Sequence, residues 1–190
     1  MKFDGKILLA ASILSVVPSG LIGPIYAIFV NRVGGDVLAA SASWSIFAFV
    51  FGALMLVFGL LEDHRLNKKA IIVAGYGILA LGNLGYLFVS NVIQLFIVQA
   101  ILGFGGAIMT PAWDAIYSKK VGRNKESSQW AYWEGGTRIV YAGAILAGGL
   151  IVTLYGFPML FVLMFLFDLA SAFTASLILK ERHFKKAKKG

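Results

Sequence analysis

Six apolar runs, at residues 7–30, 37–61, 70–89, 92–117, 130–155 and 157–179, constrain this chain more than any other feature. A helix needs about 20 apolar residues to cross a hydrocarbon core of roughly 30 Å, and every run supplies that, some with enough excess to tilt. None shows the two-residue apolar/polar alternation of a lipid-facing barrel wall, so the runs are read as helices. An all-α integral membrane protein with six transmembrane helices follows. Composition points the same way, since 59% hydrophobic and 14% charged residues with a mean hydropathy of +0.82 do not suit a soluble domain. The first run is too long for the 7- to 15-residue apolar core of a signal peptide and is read as a retained helix. Residues 1–190 form a single membrane domain ending in a basic tail at 180–190.

Seventeen Lys and Arg against nine Asp and Glu give a net charge of +8. The basic residues cluster between apolar runs rather than on a soluble face, so no nucleic-acid partner is expected. Lys2 and Lys6 precede the first run, and Arg65, Lys68 and Lys69 follow the second. Lys119, Lys120, Arg123 and Lys125 follow the fourth, and six more lie between Lys180 and Lys189. The opposite side holds only Arg32, while Arg138 lies inside the fifth run. This asymmetry puts both termini in the cytoplasm, in a multi-pass protein of the cell (inner, plasma) membrane. The tail is either a stop-transfer anchor or a contact for anionic lipid.

Catalysis has little to work with. There is no cysteine, which excludes disulfides and thiol chemistry. His64 and His183 are the only histidines, and both fall in segments expected on the cytoplasmic side. No G-x-S-x-G or H-E-x-x-H motif occurs, so no enzyme, metal or cofactor is expected.

The chain also repeats itself. PIYAIFVNRVGG, from Pro24, parallels PAWDAIYSKKVGR, from Pro111. Pro24 pairs with Pro111, Tyr26 with Trp113, and Val33-Gly34 with Val121-Gly122 after one inserted residue. Gly52-Ala53-Leu54 echoes Gly143-Ala144-Ile145 further on. An odd number of crossings separates the copies, so the reading is a 3+3 inverted repeat, an arrangement found in secondary transporters.

Between the second and third runs stands GLLEDHRLNKKAI, residues 59–71. This resembles the cytoplasmic signature of the major facilitator superfamily, G-x-L-a-D-r-x-G-r-k-x-x-l. Gly59, Leu61, Asp63, Lys68 and Ile71 match, whereas His64, Leu66 and Asn67 depart. QAILGFGGAIMTP, from Gln99 to Pro111, resembles the family's fourth helix, with Gln99 where a basic residue is common. AILAGG, residues 144–149, looks like an antiporter signature that keeps only its final glycine pair. The whole chain corresponds to the amino-terminal, six-helix half of a twelve-helix member. The resemblance implies a secondary active transporter moving a small molecule by alternating access. Efflux and proton coupling are its expected form, with two copies dimerising to replace the two halves. The alternative is a non-transporting membrane scaffold, or an inactive half that needs a separate partner.

Charge in lipid is costly and usually marks function. Asp114, Glu134, Arg138 and Asp168 are therefore candidates for coupling or for an ion pair. Glu134 and Arg138 stand at i, i+4, an order that suits a pair, and lie about 6 and 12 Å into their helix at 1.5 Å per residue. Arg138 either snorkels to the interface or pairs with Glu134 or Asp114. Asp168, near the middle of the sixth run with no basic partner close in sequence, is either a neutral structural carboxyl or a protonation site. The resemblance places its helix at the periphery. It makes Gly59, Asp63, Arg65 and Lys68 a gate, and it puts Tyr26, Gln99 and Trp113 on the helices lining the substrate cavity. The aromatic residues around Trp113 are equally suited to an interfacial belt.

Overall fold

In the computed structural model, which describes residues 3–62, 67–122 and 126–187, the chain is an all-helical bundle. Helix α1 (Phe3–Ile22) passes through a 3-10 turn, Gly23–Ile25, into α2 (Tyr26–Arg32). Then come α3 (Val37–Glu62), α4 (Lys68–Gly85), a 3-10 turn at Tyr86–Phe88, α5 (Val92–Ser118) and α6 (Glu126–Ala187). Five of these units are long and apolar enough to cross a membrane, α1 and α2 counting together as 5–32.

Local chemistry sets the ends. Pro24 has no N–H to continue an α-helical ladder, and it stands in the turn where α1 gives way to α2. Gly34, at φ 81°, ends α2: its N–H donates to the Asn31 carbonyl at 3.1 Å, and that of Gly35 to Val30 at 2.9 Å. This pair of bonds is a Schellman cap. Asp36 then accepts from the Ala39 N–H at 2.8 Å to start α3. At the head of α5, Asn91 accepts from the Gln94 N–H at 3.0 Å while the Gln94 amide accepts from the Ser90 N–H at 2.8 Å. Both orphan donors are thereby satisfied.

The apolar part of α6 covers 54 residues, about 80 Å at 1.5 Å per residue and far more than one crossing needs. Gly156 divides it. Its φ of 78° and ψ of 176° lie in a region essentially reserved for glycine. The arms on either side run in opposite directions. Along the first arm, 126–155, Trp133 meets Ser12 and Ala144 meets Gly20, so this arm runs parallel to α1. Along the second, 157–187, Phe161 stacks on Tyr86, Asp168 meets Asn83 and Ile178 meets Lys69, so it runs antiparallel to α4.

Close approach depends on glycine. A side chain at Gly148 would collide with the Leu21 backbone of α1, whereas Gly149 faces open space. On α5, Gly103 and Gly106 admit α3, and Gly105 admits α4. The core forms two apolar clusters. One gathers Phe29, Tyr86, Phe157, Phe161 and Met164, and Arg32 lies over the Phe157 ring at 4.8 Å. The other gathers Leu8, Tyr76, Trp113, Tyr117 and Ile178. In the most apolar window of α3 no residue is buried, against half of the corresponding window of α5. Helix α3 is thus the outermost element, presenting Phe49, Leu56 and Leu60 outward.

Candidate functional site

The two apolar clusters meet at a polar seam. Asn83 of α4 and Asp168 of the second α6 arm are both buried, and the Asn83 amide donates to one carboxylate oxygen at 2.5 Å. Among the described residues the other oxygen, Oδ1, is buried with no well-formed hydrogen bond, and the Ser15 hydroxyl is the second neutral donor beside the carboxyl. In sequence, Asp168 falls between Met164 of one cluster and Ala172 of the other. The side chain is 2% exposed, an expensive position for a carboxylate in a membrane-spanning segment.

Asp168 also lines a half-open cavity of about 230 Å³ bounded by α1, α2, α3, α4, α5 and the second arm. Its walls join Tyr26, Trp44, Asn83, Tyr86, Gln99 and Asp168. A directed run of hydrogen bonds holds one side. The Gln99 amide donates to the Tyr26 hydroxyl at 2.6 Å and to Tyr86 at 3.2 Å. Ser43 donates to the Ala40 carbonyl at 2.7 Å, so the 2.7 Å contact between Tyr26 and Ser43 has Tyr26 as donor. One chain of bonds therefore ties α5 to α2 and α3. On α3, Trp44, Phe47 and Phe51 follow at i, i+3 and i+7 and give the cavity an aromatic face.

A second cavity of about 380 Å³ shares Ser15, Ser19 and Met109 with the first. Glu134 and Arg138 line it, both exposed and with no ion pair between them. The i, i+4 spacing puts them on one face, but that face turns into an open space where each head group can remain solvated. A third cavity, of about 120 Å³, takes Trp113 and Asp114. Trp113 is absent from the first cavity's wall because its ring stacks on Tyr117 at 4.7 Å and packs against Trp133 at the same centroid distance. Ser12, which accepts from the Trp133 indole at 3.1 Å, lines both the second and the third cavity.

Of the remaining sequence-based candidates, Gly59 stands near the end of α3 with open space beside it, and Lys68 begins α4. Asp63 and Arg65 lie outside the described residues. Among the described residues no three His, Cys, Asp or Glu side chains converge to hold a metal ion. Sequence reasoning passed over Ser15, Ser43, Trp44 and Tyr86. The aromatic stripe on α3 and the Ser12, Ser15, Ser19 stripe on α1 were the available signals.

Asp168 is the chief departure from expectation. The resemblance placed its helix at the periphery, yet the carboxyl lines the central cavity, because Gly156 folds the second arm back against α1 and α4.

Comparison with known proteins accords with this architecture. A region of 147 residues is 25% identical to the uncharacterized MFS-type transporter YitZ of Bacillus subtilis, covering 75% of this chain and 87% of that protein. Another, of 169 residues, is 24% identical to an uncharacterized MFS-type transporter of Methanocaldococcus jannaschii, covering 89% of this chain and 44% of that protein. The chain thus spans less than half of the archaeal relative. The model of the Major Facilitator Superfamily matches residues 8–190. The chain belongs to that superfamily, whose members are multi-pass membrane transporters rather than enzymes.

Proposed function

We propose that the chain is a half-size secondary transporter that carries a small molecule across the plasma membrane by alternating access, working as a homodimer. Six crossings in a 3+3 inverted arrangement, with both termini cytoplasmic, account for the reversal at Gly156 and for the distribution of Lys and Arg. The observation that carries the reading is the polar seam: a cavity with Asn83, Gln99, Tyr26 and Asp168 in its walls, set where two apolar clusters meet. In this reading one cluster loosens while the other holds, as alternating access requires. A second copy stands in for the additional length of the archaeal relative, and the exposed α3 offers it a surface.

Transport takes the form of proton-coupled efflux, with Asp168 as the coupling carboxyl. Glu134, Arg138 and Asp114 serve the vestibules, and Gly59, Asp63, Arg65 and Lys68 act as the gate. The competing reading is a scaffold or inactive half, and the partial coverage of the archaeal relative is the observation in its favour. Purified protein reconstituted alone into liposomes decides between them. Substrate accumulation driven by an imposed proton gradient, with cross-linking that yields a dimer, is expected. A gradient that moves nothing until a second gene product is added overturns the transporter reading.

A further inference from the structure

We infer that the central cavity takes a small organic cation bearing an aromatic or other apolar group, with Asp168 as its counter-ion. This rests on the cavity being the binding site proposed above, and it names the ligand chemistry of that site.

The argument starts from charge. Of the cavity's lining residues, Asp168 alone is a formal acid or base apart from the two tyrosines. Its neutral neighbours, the Asn83 amide and the Ser15 hydroxyl, supply hydrogen bonding and no charge, and among the described residues its Oδ1 has no well-formed hydrogen bond. A buried ionised carboxylate with neither a cation nor a full set of donors is a costly state, and the cavity beside it is the place where a positive group can relieve it. An anionic ligand would meet repulsion from the same carboxylate. A neutral ligand would bring no counter-charge and would leave protonation as the carboxylate's only relief.

The walls set the rest. Trp44, Phe47, Phe51, Tyr26 and Tyr86 offer ring surface around the cavity, and aromatic faces attract cations as well as apolar groups. The Tyr26 and Gln99 groups that could compete for a ligand's donors are already engaged with each other and with Ser43. Recognition therefore falls to one carboxylate and an aromatic wall. At about 230 Å³ the cavity lies just below the range of drug-sized pockets, roughly 300–1,000 Å³, so the ligand is small.

The test uses the full chain in lipid nanodiscs and three probes of similar shape. They are radiolabelled benzyltrimethylammonium, the net-neutral N-oxide of benzyldimethylamine, and phenylacetate. Equilibrium dialysis should show saturable binding of the cation. The N-oxide should displace it at least about tenfold less effectively than unlabelled cation does, and phenylacetate not at all. Asp168→Asn should lower affinity for the cation by about tenfold or more. Trp44→Leu, at a half-exposed position, should weaken it about three- to fivefold. Equal displacement by the N-oxide, undiminished binding by Asp168→Asn, or absence of saturable binding to the wild type overturns the inference. If Asp168→Asn does not fold, the probe series and Trp44→Leu decide alone. Binding that depends on Asp168, but with no movement of the label across liposomes, upholds the cation site and defeats the transporter reading. Transport of the label that is indifferent to Asp168→Asn does the reverse.

Discussion

Two polar clusters share one cavity wall and are built to opposite standards. In the first, Gln99 donates to Tyr26, Tyr26 to Ser43 and Ser43 to a backbone carbonyl, so that each donor in the line has an acceptor. In the second, Asn83 holds one oxygen of Asp168 and Ser15 stands beside the carboxyl as a further neutral donor, while among the described residues the other oxygen has no well-formed hydrogen bond and no cation faces it. Hydrogen bonds between membrane helices average about 0.6 kcal/mol and reach about 1.7. The first cluster therefore contributes little to stability for its length, and its effect is to fix how α2, α3 and α5 face one another. The second leaves an electrostatic cost standing. A satisfied network acts as a strut, and an unsatisfied buried charge beside a cavity is where a ligand or proton has most to gain.

The contrast breaks most completely when the frame holding both clusters is disturbed. Gly148→Leu would drive a side chain into the Leu21 backbone and push the first α6 arm off α1, which carries Ser15 into the cavity wall. Overpacking usually costs about 1–3 kcal/mol, and backbone that cannot move aside takes it higher. The expected outcome is loss of a monodisperse peak in detergent and of cooperative thermal unfolding. Gly149→Ala, facing open space, should match the wild type. A normal elution profile and melt for Gly148→Leu would contradict the packing described.

Next in size is Asp168→Asn, which keeps the shape and removes the charge. Gradient-driven transport should fall by more than about tenfold, equivalent to 1.4 kcal/mol or more of lost driving interaction. Thermal stability should hold or rise, because the buried charge disappears. Retained transport would mean that the unsatisfied oxygen is merely a defect of packing.

Tyr26→Phe asks the converse question of the strut. It leaves the Gln99 amide without one acceptor and Ser43 without its donor, at an expected stability cost of about 1 kcal/mol. A double-mutant cycle with Gln99→Leu should return a coupling of roughly 0.6–1.7 kcal/mol, read from thermal or denaturant unfolding in detergent. Transport should remain within about threefold of the wild type. A loss as large as that of Asp168→Asn would transfer the role of binding group from the seam to the strut.

How legible this was depended on the kind of signal. Helices announced themselves because crossing a membrane demands about 20 apolar residues in a row, and Gly156 stood between the last two runs. Tyr26 and Gln99, far apart in sequence, could be placed together only through the resemblance, and the structure joins them by a hydrogen bond. Asp168 was visible as a charge at membrane depth, but its position on the cavity wall was not, since that depends on how far the second arm folds back. Trp113 and Glu134 show the other limit. Spacing gives the face of a helix and says nothing of what stands opposite: rings in one case, an open cavity in the other.

Trp113 supplies the mildest test, because its indole nitrogen, like Asp168 Oδ1, is buried without a hydrogen-bond partner among the described residues. The two differ in charge. An unpartnered neutral N–H costs about 1–3 kcal/mol, and the ring offsets this by stacking on Tyr117 and Trp133. Trp113→Phe removes the N–H and keeps an aromatic ring, while losing some contact area. These opposing terms should leave unfolding free energy within about 1 kcal/mol of the wild type and cation binding unchanged, since Trp113 does not line the central cavity. If benzyltrimethylammonium affinity fell as far as it does with Trp44→Leu, the smaller cavity beside Asp114 would have to be counted as part of the binding site, and charge would no longer be what separates the two unpartnered buried atoms.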